Sequence, residues 1–170
     1  MPNWCYNRAK FTHTDPKKLD KLEKALEKAK KAEGGEHFFN ALRKRPKEEQ
    51  DSWYSWNIEN WGCKWDAFPT DYERDGNSIT AYFDTPWGPP IALYEYLDSQ
   101  DWGIEAYYHE PGMCFCGSFI DGIDDVYEYD DILDNYEELQ KIPEGIYEFA
   151  NLECEHENHM EWLKENENEE

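Results

Sequence analysis

The sequence predicts an α+β domain in which an antiparallel or mixed sheet carries helices on one face. Three observations lead there. Residues 78 to 84 alternate, with Ile79, Ala81 and Phe83 on one side and Ser78, Thr80, Tyr82 and Asp84 on the other, which is the period of a half-buried strand. Leu19, Leu22, Leu26 and Ala29 recur at intervals of three and four and make one apolar stripe of a helix. Glu110-Pro111-Gly112 stands between two alternating runs, a hairpin signal.

The elements follow in order. Residues 3 to 13 read as a first strand. Asp15 then serves as N-cap and Pro16 as first helical residue of the stripe just described, which Gly34-Gly35 is expected to stop. The lysines and acids on the outer face of that helix alternate in sign at helical spacing, so a solvated surface is expected there and not a binding patch. Residues 36 to 75 have no clean period but hold His37-Phe38-Phe39, Trp53, Trp56, Trp61 and Trp65; an aromatic-anchored insertion with one short helix is expected. Pro86-Trp87-Gly88-Pro89-Pro90 breaks the chain and launches a second helix in which Leu93, Tyr96 and Leu97 share a face. Residues 103 to 109 and 113 to 120 are the strands of the hairpin. After Gly122 the chain turns acidic and rich in tyrosine, with helices expected near 131 to 140 and 146 to 163 and a mobile tail from about Lys164.

A chain of 170 residues makes one domain, able to bury about two-thirds of the surface its unfolded form exposes. Aromatic residues form 16% of it, including 8 Trp and 12 Tyr, so rings must build much of the core. The net charge is -22, unevenly spread: residues 1 to 64 hold 14 basic against 10 acidic residues, and the remainder 3 against 29. Phosphate would be repelled by that second part, so nucleic acid is not expected as a direct partner and no basic stripe for DNA is read; a basic protein is the better match. Cys5, Cys63, Cys114, Cys116 and Cys154 are odd in number and irregular in spacing, which is no disulfide framework. The first eight residues lack the apolar run of a signal peptide and no stretch has the length of a membrane span, so cytoplasm is the expected compartment.

Four segments resemble a known family: Met1-Pro2-Asn3-Trp4-Cys5-Tyr6-Asn7-Arg8, Glu59-Asn60-Trp61-Gly62-Cys63-Lys64-Trp65-Asp66-Ala67, Phe83-Asp84-Thr85-Pro86-Trp87-Gly88-Pro89-Pro90 and Glu110-Pro111-Gly112-Met113-Cys114-Phe115-Cys116-Gly117. In that order they are similar to the YubB/Api92-like proteins with a ferredoxin-like domain, found in phages, plasmids and bacteria. The resemblance covers roughly residues 1 to 122. It implies a ferredoxin-like antiparallel sheet with helices packed on one face and a mobile-element origin; the acidic helical extension of residues 123 to 170, expected to pack on that domain, is peculiar to this chain. The family has no settled activity, so no functional residue is carried over. Cys63 and Pro86 depart from it, since Thr and Ala are usual there.

Four constellations could carry chemistry. Trp61, Lys64, Trp65 and Asp66, with Trp87, could wall a small-molecule or nucleotide pocket, or lock the structure beneath the sheet; the lock is the stronger reading. Cys114, Cys116 and His109 could form a thiolate and imidazole pair, although two alternate strand residues are more simply two small apolar side chains. Cys154, His156 and His159 have the best metal spacing, yet a structural zinc site wants a fourth ligand that the sequence does not place, so neither metal nor cofactor is expected. The fourth is the acidic stretch itself. Carboxylates at the charge density of a nucleic acid can occupy a basic groove, and tyrosines among them supply rigid contact area. The expected function is therefore non-enzymatic: an acidic, nucleic-acid-mimicking surface offered to a basic host protein, a defence or replication factor, by a monomer or homodimer. Residues 121 to 138 and 144 to 157 would carry it, with Asp124, Asp125, Tyr127, Glu128, Tyr129, Asp130, Asp131, Asp134, Tyr136 and Glu137 at its centre and Tyr147 beyond.

Overall fold

The computed structural model describes residues 2–32 and 37–167. The chain runs β1 (Trp4–Thr12), α1 (Pro16–Lys31), α2 (Phe39–Leu42), α3 (Trp53–Trp61), β2 (Phe68–Asp75), β3 (Ser78–Pro86), α4 (Ile91–Asp98), β4 (Gly103–Glu110), β5 (Phe115–Ile120), β6 (Ile123–Glu128), α5 (Tyr136–Leu139), α6 (Glu144–Ala150) and α7 (Leu152–Glu167). The fold is α+β: one six-stranded sheet and, among the described residues, seven α-helices. Strand order is β2-β3-β1-β4-β5-β6, and every neighbouring pair is antiparallel.

The local reasons are those the sequence offers. Along β1, Cys5, Asn7, Ala9 and Phe11 turn inward while their neighbours are exposed or half-buried, the period-two pattern of a pleated strand. Asp15 caps α1 by accepting a hydrogen bond from the Lys17 amide at 2.9 Å, with Pro16 at the first helical position. The last residue of α1 is Lys31, and the expected Gly34-Gly35 stop lies outside the described residues.

Two cores lie on opposite faces of the sheet. Phe11, Leu19, Leu22, Leu26, Phe38, Phe39, Trp61, Phe83, Leu93, Ala106 and Phe119 belong to the first, under α1 to α4. Cys116, Tyr129, Leu139, Ile142, Ile146 and Leu152 belong to the second, with Tyr107 packed against it. Ala106 and Tyr107 are successive strand residues and point to opposite faces, as do Cys116 and Phe119. The helices α1 to α4 share one face, and α6, from the acidic extension, packs on β4 and β5 from the other side. The physical cause is in β5, where Cys116, Gly117, Ser118 and Phe119 are all buried, so both faces of that strand are covered.

Two expectations change. Residues 123 to 128 are a strand paired with β5, not the start of a helical extension, and the helix expected over 146 to 163 is two, broken at Asn151 with φ 51°. The 36 to 75 insertion contains α2, α3 and the edge strand β2, which begins Phe68-Pro69 and is polar along most of its length; only one side of it pairs, so it needs neither alternation nor a donor at its proline.

The acids of α1 are gathered on the side of β2, together with Lys30, which binds Asp71 at 2.8 Å. Arg74 of β2 binds Asp20 at 2.8 Å and Glu23 at 2.6 Å, and Glu27 lies beside the Tyr72 hydroxyl, whose pKa is raised first by burial and then by Glu27 and Glu23. All three acids of the described helix thus face β2. Lys17, Lys21, Lys24 and Lys28 are left on a separate, exposed row.

Candidate functional site

The acidic stretch begins on β6, the outer strand of the sheet, and continues through a 3-10 turn at Asp130–Ile132 into α5. Asp124, Asp125, Glu128, Asp130, Asp131, Asp134, Tyr136 and Glu137 are exposed and Tyr127 is half-buried. Asp124 also accepts a hydrogen bond from the Tyr108 hydroxyl at 2.6 Å, which ties the outer strand to the sheet below it. Ile123 and Val126 stand exposed on the same strand. Lys141 is held by Glu138 at 2.5 Å. Tyr147 is half-buried, and burial pushes its hydroxyl up to about 12.

Tyr129 must be removed from the contact surface expected above. Its ring is 0% exposed in the second core and its hydroxyl lies 2.7 Å from His109 Nε2, so it can offer no area to a partner. Alternation along acidic sequence could not reveal this, because the chain leaves the strand at Glu128 and turns inward.

The indoles do not form a pocket. Trp61 is 0% exposed, with Nε1 donating to the Arg43 carbonyl at 3.0 Å and its ring edge-on to Phe39 and Trp56. Trp65 packs against Trp4, and the Lys64 amine lies over the Trp65 and Tyr54 rings. Asp66 is buried and accepts from the Phe39 and Asn40 amides. Trp87 is half-exposed at φ 71°, its amide donating to the Asn3 carbonyl. Trp61 is sealed, Trp65 meets Trp4 edge-on and Trp87 is half-exposed, so Trp61 cannot line an open pocket with the other two.

His109 lies opposite Cys116 across the hairpin, but the two make no catalytic pair. Burial pushes the Cys116 thiol up to about 12 and lowers His109 to about 4, so at neutral pH the sulfur is protonated and the imidazole neutral, with Nε2 occupied by Tyr129. Cys114 is raised as well, by burial and then by Asp130. Cys154, His156 and His159 do not converge either. His156 Nδ1 is 2.7 Å from the Leu133 carbonyl, His159 stacks on Trp162, and Cys154 accepts from Asn158. No group of three or more His, Cys, Asp and Glu is placed to hold a metal ion among the described residues.

Sequence reasoning missed how the four family-like segments meet. The Asn7 side-chain amide donates to the Cys5 carbonyl at 2.8 Å, the Phe83 carbonyl at 3.3 Å and Thr85 Oγ1 at 2.9 Å, while the Thr85 hydroxyl donates to the Gly88 carbonyl at 2.7 Å. The buried Glu110 carboxylate accepts from the Gly112 and Met113 amides and shapes the hairpin turn. Gly62, at φ 87°, lets α3 end directly against the Ile91 amide at the start of α4. The first and third segments are thus tied through Asn7 and Thr85, and the second meets the end of the third at Gly62. Their clustering in sequence was the signal, but only the fold supplies the partners.

No family model matches the chain, and no curated protein matches it. Among solved structures it is similar to the crystal structure of the protein Api92 from Yersinia pseudotuberculosis, of family DUF1281, with 12% sequence identity and a TM-score of 0.44 over 76% of this chain and 98% of that one. No helix among the described residues is long and apolar enough to cross a membrane.

Proposed function

We propose that this chain is a non-enzymatic binding protein of a phage or other mobile element, acting in the cytoplasm of a bacterial host. Its body is ferredoxin-like: β1-α1-β2-β3-α4-β4 with strand order β2-β3-β1-β4 is the split arrangement of that class, with β5 and β6 added at one edge. Kinship with the YubB/Api92-like proteins rests on the four sequence segments. The working surface is the acidic edge from β6 to α5, extended by α6 and α7, and its partner is a basic, nucleic-acid-binding host protein.

The observation that supports this reading is the exposure of Asp124, Asp125, Glu128, Asp130, Asp131, Asp134 and Glu137 along one strand and the turn after it, where the nearest lysine in sequence, Lys141, is already bound to Glu138. Such a surface offers carboxylates at high density and little of its own positive charge to cancel them. Tyr127 and Tyr136 supply its aromatic area. The Trp61 pocket gains no support, because that indole is sealed.

The test is an affinity capture from host lysate with the tagged chain, with and without nuclease and at low and high salt. One basic protein is expected, retained after nuclease and lost at high salt. Loss of every captured protein with nuclease, or capture that survives both nuclease and reversal of the carboxylates, sinks the reading.

A further inference from the structure

The lysine row of α1 has no use in the acidic reading. Lys17, Lys21, Lys24 and Lys28 follow at intervals of four, three and four residues, a nearly straight line about 16 Å long at 1.5 Å per residue. Lys21, Lys24 and Lys28 of the row wall an open cleft of about 480 Å³ whose other side is His37, Asn40, Ala41 and Lys44. Lys21 and Ala41 continue into a smaller cleft of about 170 Å³ with Lys18, Leu42, Tyr96 and Trp102. Asp20 lines the outer end, but Arg74 holds it at 2.8 Å. None of the six lysines forms an ion pair with a described residue.

We propose that this cleft binds single-stranded nucleic acid by its phosphates. Like charges at these spacings repel one another, and a continuous polyanion removes that repulsion. The residue type suits this ligand, since the cleft presents lysines, point charges that meet phosphate without fixed direction. The acidic surface lies far from the row, because α1 packs over β2 at one edge of the sheet and β6 is the other edge, five strand spacings or about 24 Å away. The channel between two helices suits one extended strand, while a duplex would meet only the outer row. A second copy of the chain is a poorer occupant. The carboxylate row of α7, Glu153, Glu157, Glu161 and Glu165, has Lys164 within it. The expectation that nucleic acid is no direct partner rested on the charge after Lys64, and the cleft lysines all precede it.

The test is fluorescence anisotropy with labelled oligothymidylate and oligouridylate strands, titrated over a salt series. Binding is expected, with log K falling against log salt at a slope of about −3 for some four phosphates neutralised. The double variant Lys21→Glu/Lys24→Glu should weaken binding at least tenfold and roughly halve that slope, with an unchanged circular dichroism spectrum; Lys141→Glu should leave affinity within about twofold. The two oligonucleotides separate DNA from RNA. No binding at low ionic strength, or equal binding by the double variant, overturns the proposal. So does a duplex of equal length binding as tightly, or a concentration-dependent rise in mass that the double variant abolishes without any oligonucleotide bound.

Discussion

The carboxylate of Asp66 accepts a hydrogen bond from the backbone amide of Phe39 at 2.7 Å and so supplies α2 with the cap that its own Phe38 cannot provide. The Asn40 amide donates to the same carboxylate at 3.2 Å. Because Phe38 and Phe39 are fully buried, this cap also fixes two core rings. Asp66→Ala is expected to cost about 2 to 3 kcal/mol, combining a lost cap with buried amides left unpaired, and Asp66→Asn about half as much because one acceptor remains. The urea midpoint should fall with an unchanged slope; a shift below about 0.5 kcal/mol would mean that the cap does not hold the turn.

His109 makes stability depend on pH. Burial lowers its pKa from 6.5 to about 4. Between those values the unfolded chain binds a proton that the folded chain refuses, so stability is full above the unfolded value and is lost as pH falls toward the folded one. Near pH 5 the loss is about 2 kcal/mol relative to neutral pH. His109→Gln keeps a polar group beside Tyr129 without titrating. The wild type should therefore lose about 2 kcal/mol more than the variant on that acid shift, measured by urea unfolding, and parallel losses would show that His109 is not the group responsible.

The central strands and α1 were legible because their patterns are local. Asp15 and Pro16 announce a helix start, and Ile79, Ala81 and Phe83 announce a strand, whatever packs on them. β2 was not legible because an edge strand with a proline and acids needs no alternation. The acidic surface was legible as composition, yet the inward turn of Tyr129 was not, since its hydroxyl finds His109 twenty residues away. Alternating signs on α1 read as a mixed surface; only Arg74, placed by β2, shows that Asp20 and Glu23 are drawn to one side, while Lys17, Lys21, Lys24 and Lys28 are left on another.

Gly117 is required by contact, not by backbone conformation. A Cβ there would overlap the Tyr108 hydroxyl and the Asp125 carbonyl oxygen, one below β5 and one on β6. Gly117→Ala must displace either the Tyr108 to Asp124 hydrogen bond or the outer strand, at a cost of about 3 kcal/mol. Thermal unfolding should shift down by several degrees and β6 amides should exchange faster. Gly88→Ala is the comparison, because its nearest neighbour would be Phe115 at 4.0 Å. A change below about 1 kcal/mol is expected there.

The acidic edge separates binding from folding. Asp131, Asp134 and Glu137 are exposed and lie among other carboxylates, so replacing each with Lys removes repulsion and should change stability by no more than about 0.5 kcal/mol apiece. Partner capture should fall at least tenfold in the triple variant, since each reversal replaces an attraction with a repulsion at the basic surface. Tyr136→Ala tests the aromatic part in the same assay. Tyr129→Phe should leave capture intact while lowering the urea midpoint, because it deletes only the buried hydroxyl that faces His109. If the triple variant stays folded and still captures its partner, the carboxylates serve solubility alone. If capture is lost at Tyr129→Phe with the fold preserved, the binding surface is the hairpin around His109 and not the outer edge.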